Sequence, residues 1–191
     1  MASHPSRPDV TEPQLIGGVE KRTIEIADYD ERWPEWYRAH EQRIRDALAG
    51  AGIQIEHIGS TSVPGLAAKP ILDVLVVVAD ITAEEAHVEP LVRAGYELRV
   101  REPGHRLVRT PERDAHVHLL EQGDPGIAAY LLLRDRLRTD AADRQLYEET
   151  KRELATRVWE DMNDYADAKT EAITAILSRA RRCAEDQREE S

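Results

Sequence analysis

Two segments concentrate the side chains able to do chemistry. In EHIGSTSVPGLAAKPILDVLVVV (56–78), an apolar stretch runs into Gly59, then Ser60, Thr61 and Ser62, and later one carboxylate, Asp73, interrupts a β-branched run. Small residues after a strand let phosphate oxygens approach main-chain N–H groups and hydroxyls, so Gly59, Ser60, Thr61 and Ser62 are candidate phosphate binders. A carboxylate in an apolar strand is costly unless it is paired, hydrogen-bonded or bound to a metal, and capping of the loop amides by Asp73 is the simpler alternative. In AHVHLLE (115–121) the spacing of His116 and His118 puts both on one side of a strand. With Asp73 they would make an open three-ligand site for Mg²⁺, Mn²⁺ or Zn²⁺, while hydrogen bonding to a carboxylate is the structural alternative.

Positive charge for a phosphate would come from the helices. At 100° per residue, Arg134 and Arg138 share a face with Ile127, Tyr130, Leu131 and Leu137. They either close over phosphates with their forked donors or pair with acids such as Asp73 or Glu97. Lys169 falls among Tyr165, Ala172 and Ile176, a ligand contact or a snorkelling lysine. Lys69 and Arg106 are weaker candidates because single basic residues are usually solvated. His57 and Glu56 adjoin the loop but point to opposite sides of a regular strand. GSTSVPG lacks the Gly-Lys-Ser/Thr ending of a P-loop, and neither Gly-x-Gly-x-x-Gly nor Gly-x-Ser-x-Gly occurs.

These residues need a sheet to hold them. Alternation predicts strands at 22–30 (RTIEIADYD) and 53–59, a continuous run predicts a central strand at 71–79, and 96–101, 105–110 and 115–121 read as an antiparallel meander. A helix follows Asp30 as N-cap, with Trp33, Trp36, Tyr37, His40, Ile44 and Leu48 at helical spacing and Gly50 and Gly52 as its stop. Residues 82–94 form another, opened by a Thr82/Glu85 capping box and closed by Gly95. After Gly126 no glycine or proline occurs, so three helices are expected to Arg182, broken near Asp140 and near Glu160 to Asp164. The order implies an α+β domain, a mixed sheet with helices on one face and one end and a helical C-terminal segment.

The 191 residues include 26 basic and 37 acidic side chains, a formal charge of −11, which disfavours bulk nucleic-acid binding. The lone Cys183 offers no disulfide framework and no cysteine zinc site, and fits a reducing cytoplasm. No apolar run reaches the roughly 20 residues of a membrane span, and the first twenty residues lack a signal-peptide layout. The expected division is a disordered tail over 1–20, one domain over 21–182 and a charged tail over 183–191.

IEHIGSTSVPGLAAKPILDVLVVV resembles the signature of the GrpB family, as do HVHLLEQGDP and LLLRDRLR, over about residues 22–180. That resemblance implies a nucleotidyltransferase-like fold. In that superfamily a Gly-Ser pair holds nucleotide phosphates, and two carboxylates one residue apart, with a third on a neighbouring strand, bind divalent metal. Gly59, Ser60 and Asp73 match. Leu75 stands where the second acid belongs, so a two-metal site would need a substitute. The resemblance thus implies a protein that binds a nucleotide or phosphorylated small molecule with a divalent metal; if it transfers a nucleotidyl group, Asp73 is the matching catalytic residue and His118, from the histidine spacing, the candidate to join it. The alternative is a degenerate ligand-binding or accessory module. Fusion of GrpB domains to dephospho-CoA kinase points to a CoA-pathway protein partner, and the acidic C-terminal helices offer a homodimer face.

Overall fold

The computed structural model describes residues 8–18, 24–48, 53–159 and 162–189. Six strands, β1 (Gln14–Leu15), β2 (Gln54–Ile58), β3 (Leu72–Val78), β4 (Glu97–Glu102), β5 (His105–Arg109) and β6 (Ala115–Glu121), form one mixed sheet in the order β1-β4-β5-β6-β3-β2. All neighbours are antiparallel except β3 and β6, which run parallel and pair Asp73 with His116 and Leu75 with His118. Helices α1 (Trp33–Ala47) and α2 (Glu84–Arg93) lie on one side, and α3 (Pro125–Thr139), α4 (Ala141–Ala155), α5 (Met162–Asp167) and α6 (Thr170–Glu189) follow the sheet.

Alternation along β3 explains both the core and the site. Val74, Val76 and Val78 point into a cluster with Ile44, Leu48, Val88 and Leu91, beneath α1 and α2. Leu75 points the other way, to Ile58 and Leu120, under Ile127, Tyr130 and Leu131 of α3. With both faces covered, the strand reads as a continuous apolar run, and each fully buried Val or Leu contributes roughly 1.5–3 kcal/mol. Helices therefore cover both faces of the sheet, not one face and one end. Asp73 shares the Leu75 side but lies one pleat nearer the strand's start.

Several local expectations change. Of the predicted strand at 22–30, residues 22 and 23 lie outside the described residues, and only Ala27 pairs, in an isolated bridge with Ala68. Asp30 is not the N-cap of α1; it lies two residues early, accepting from the Arg32 N–H at 2.9 Å, and Arg32 holds the N-cap place. Gly50 and Gly52 lie outside the described residues. The Thr82/Glu85 capping box does not form, because Asp80 takes the Thr82 N–H and hydroxyl and α2 starts after Ala83. Asp140 does break the C-terminal helices, by accepting from Asp143 N–H as N-cap of α4. Four helices replace the expected three, since α5 and α6 are separate, and α6 runs to Glu189 through most of the segment read as a tail.

Of the tail expected over 1–20, residues 1–7, 19 and 20 lie outside the described residues, and residues 8–18 dock on the sheet. Gln14 and Leu15 pair with Arg101 and Val100 at the sheet edge. Asp9 reaches Arg106 at 2.5 Å and accepts from Gly104 N–H at 2.7 Å. Arg106, read as solvated, is instead 2% exposed and also meets Glu84 at 2.7 Å and the carbonyls of Glu102 and His105. A buried guanidinium demands such partners, and here one partner lies on the N-terminal arm. Asp9→Ala is expected to lower stability by about 1–3 kcal/mol in urea denaturation and to expose the chain before Gln14 to limited proteolysis. An unchanged midpoint and cleavage pattern would show the arm undocked.

Candidate functional site

The Gly59–Ser62 turn, β3 and β6 meet at one mouth of a cavity of about 740 Å³. Gly59 has φ +68° and ψ −174°, a conformation nearly confined to glycine. A Cβ there would stand 2.9 Å from Asp73 Cβ and 3.0 Å from its Cγ. The glycine thus lets the loop backbone close over the carboxylate. Asp73 Oδ1 lies 3.5 Å from both His116 Nδ1 and His118 Nε2. One ligand atom from each of the three lies within 4.8 Å of the others, the only such group among the described residues. Burial works to raise the Asp73 carboxyl, whereas the two imidazoles, where their facing nitrogens carry a proton, hold it well below the usual carboxylate range.

Of the sequence-predicted residues, Gly59, Ser60, Lys69, Asp73, His116, His118, Arg134 and Lys169 line this cavity. Thr61 and Ser62 are brought to its edge but turned away. Thr61 Oγ1 meets His57 Nε2 at 3.1 Å, and Ser62 Oγ donates to Gly59 O at 2.6 Å, so both hydroxyls hold the turn instead of facing a ligand. Arg134 pairs with neither Asp73 nor Glu97; it bonds Glu56 at 2.9 Å, Asp135 at 2.7 Å and His57 O at 3.2 Å. Arg138 donates to Ser62 O at 2.8 and 3.0 Å and lies outside the cavity. The two arginines therefore brace the end of β2 and the turn from behind, with Arg134 alone also reaching the cavity. Lys169 sits in the turn between α5 and α6, its Nζ 4.7 Å from the Tyr165 ring centre.

Four further residues were not singled out in the sequence. Burial pushes the Tyr147 hydroxyl up to about 12, with Ser60 beside it working the other way. Lys151, one turn on, is 2% exposed, donates to Ala67 O and lies 4.9 Å from the Tyr147 ring centre. Burial and then Lys169 push its ammonium down to about 7. The i,i+4 spacing of Tyr147 and Lys151 signalled a shared helical face, but a lysine in a charged helix usually points to solvent. The others, His105 and Glu102, continue from His118: His118 Nδ1 to His105 Nε2 is 3.2 Å, and His105 Nδ1 to Glu102 Oε1 is 2.5 Å. Burial, then the neighbouring His118, lowers the His105 imidazole below its ordinary range. Their meeting depends on the β5–β6 register, which pairs His105 with Leu120 and Leu107 with His118.

His57 belongs to the opposite side of the loop. It stacks on Tyr37 with ring centres 4.6 Å apart and planes 4° from parallel. Its orientation away from the cavity is as the strand alternation requires.

The profile of the GrpB protein family matches residues 23–179, and the chain belongs to that family. A UPF0157 protein of Streptomyces coelicolor is 62% identical over 174 residues, 91% of this chain and 93% of its own length. The crystal structure of the conserved protein GrpB from Enterococcus faecalis superposes with a TM-score of 0.72 at 32% identity, covering 82% of this chain and 96% of the other. The Cid1 poly(U) polymerase superposes with a TM-score of 0.52 at 18% identity, covering 69% of this chain and 45% of the other, a likeness of fold alone. The fold is nucleotidyltransferase-like. No helix among the described residues is long and apolar enough to cross a membrane.

Burial of His57 lowers its imidazole to about 4. Because the unfolded group takes its proton near pH 6.5, the folded state incurs no cost above that pH. The cost grows as pH falls and reaches about 3 kcal/mol near pH 4. His57→Gln is expected to lose correspondingly less stability between pH 7 and pH 4 by urea denaturation. His40 and His87, also lowered by burial, remain in both proteins and cancel in the difference. Parallel stability–pH curves for the two proteins would contradict a neutral, buried His57.

Proposed function

We propose that the cavity binds a nucleotide or other phosphorylated small molecule together with a divalent metal, and that its reaction is nucleotidyl transfer. The observation that carries this reading is the convergence of Asp73, His116 and His118, within 4.8 Å of one another, beside Gly59 and Ser60 in a cavity that also holds Lys69, Arg134, Lys151 and Lys169. One acid and two imidazoles suit a divalent first-row ion, so the donor set fits a metal. When bound, the ion supplies Lewis-acid stabilisation of charge on phosphoryl oxygens. The Cid1 poly(U) polymerase, crystallised with MgGTP bound, has a related fold and supports a nucleotide as the ligand class.

Each residue has work that its place allows. Gly59 lets a phosphate approach the turn, and the Ser60 hydroxyl, which lines the cavity with Tyr147, offers a polar contact. Lys69, Lys169 and Arg134 neutralise phosphate charge, the last already oriented by Glu56 and Asp135. Thr61 and Ser62 contribute by holding the turn's shape. Lys151 adds a buried amine whose charge a phosphate would restore. Leu75, at the place of the superfamily's second acid, is fully buried, but its cross-strand partner on β6 is His118. An imidazole on the neighbouring strand thus stands in for the missing carboxylate. Asp73 and His118 are accordingly the residues proposed to act at the reacting phosphate.

Titration calorimetry with ATP, GTP, CTP, UTP and CoA precursors, with and without Mg²⁺, Mn²⁺ or Zn²⁺, tests this. Metal-dependent binding is expected, weakened at least about 100-fold in Asp73→Ala, since losing a directly bound charged partner costs several kcal/mol. Binding that is indifferent to Asp73 would contradict the site. An absence of nucleotide binding in every condition would favour an accessory module whose partner, a CoA-pathway protein or a second copy, lies elsewhere on the surface.

A further inference from the structure

We infer that Glu102 and His105 form a relay that fixes the tautomer of His118, and that this makes the site selective for zinc or a similar late first-row ion over magnesium. The inference rests on the metal reading above and deepens it. It begins with hydrogen-bond chemistry. Glu102, its side chain 40% exposed, is a carboxylate and can only accept, so His105 Nδ1, 2.5 Å away, carries a proton. A neutral His105 then presents a lone pair on Nε2. His118 Nδ1, 3.2 Å from that lone pair, must therefore be the donor. The remaining nitrogen of His118, Nε2, is left bare and faces Asp73 Oδ1 at 3.5 Å.

Two acceptors confronting each other at that distance repel unless a cation lies between or beside them. His116 Nδ1 is at the same 3.5 Å from the same oxygen, so the place where the charge is needed is lined by two imidazoles and one carboxylate. Imidazole nitrogen suits zinc, copper, iron and nickel, whereas magnesium prefers an octahedron of oxygens and keeps its water. A histidine ligand whose other nitrogen donates to a fixed partner is also a stronger and better oriented ligand. His118 is the ligand so supported, through His105 to Glu102. The stacking of His105 and His118, ring centres 5.3 Å apart and planes 13° from parallel, keeps the two nitrogens in register.

Long-range ¹H–¹⁵N correlation spectra of the full-length, ¹⁵N-labelled protein at pH 7.5 read the tautomers directly. His118 is expected to carry its proton on Nδ1, and its bare Nε2 is expected to shift on adding Zn²⁺ and to return with chelator. Calorimetry with metal alone is expected to give Zn²⁺ at least 1,000-fold tighter than Mg²⁺. Glu102→Gln and His105→Gln are expected to weaken Zn²⁺ about 10–100-fold. Circular dichroism melts establish that the variants fold, and the partly exposed, isosteric Glu102→Gln keeps the test open if His105→Gln does not. A His118 protonated on both nitrogens and unmoved by Zn²⁺ would make the Asp73 contact a plain ion pair and overturn both the relay and the metal reading. Zn²⁺ binding that is lost in Asp73→Ala yet unaffected by Glu102→Gln would overturn the relay and leave the metal reading standing. Comparable Mg²⁺ and Zn²⁺ affinities would overturn the selectivity alone.

Discussion

Asp73 sets the terms for its surroundings. A carboxylate partway along a strand whose other side chains are apolar, facing a cavity, must be met by dipoles or cations or give up its charge. Three neighbours answer that demand from different places. The parallel register with β6 brings His116 and His118 to one of its oxygens, and Gly59, at a positive φ that a side chain would obstruct, lets the loop backbone close over it. The bracing of that loop then extends outward through Thr61 to His57 and Tyr37, and through Ser62 to Arg138. Much of the polar construction around this loop can be traced to that one side chain.

The parts of the fold that follow from local pattern were legible in the sequence. Strands β2 to β6 and the main helices announced themselves by period, β-branched runs and the capping of Asp140, because burial against a sheet face imposes those periods. Asp73, His116 and His118 were legible too, since a lone acid in an apolar run and two histidines two apart need no tertiary knowledge to stand out. What was not legible depended on long-range partners. The N-terminal arm has no apolar period; it docks through the Asp9–Arg106 pair and a two-residue strand, which only the folded edge of β4 and β5 can provide. Glu102 and His105 join the site through a β-register, and Lys151 through helix packing, and neither is written in spacing along the chain.

The hydroxyls show how the same loop can be read in two ways. A Ser-Thr-Ser run after a strand suggests three groups for a phosphate, yet only Ser60 lines the cavity, while Thr61 and Ser62 satisfy His57 and a loop carbonyl. A tight turn consumes some of its own polar groups to hold its shape, and the fraction left for a ligand is set by which side each faces. The arginines repeat the lesson: both were expected to meet a ligand or an acid, and Arg134 takes Glu56, Asp135 and the His57 carbonyl while Arg138 takes the Ser62 carbonyl. Such support holds the turn beside Asp73 in place, and a preorganised turn matters more to a site of this kind than extra contacts do.

The most direct test is anomalous diffraction at the zinc edge from crystals grown with Zn²⁺ and a nucleoside triphosphate. The account predicts one strong peak bonded to Asp73, His116 Nδ1 and His118 Nε2 at about 2.0–2.2 Å, with phosphate oxygens on its open side. A well-ordered Asp73–His118 contact without anomalous density, or a zinc ion held elsewhere, would contradict it.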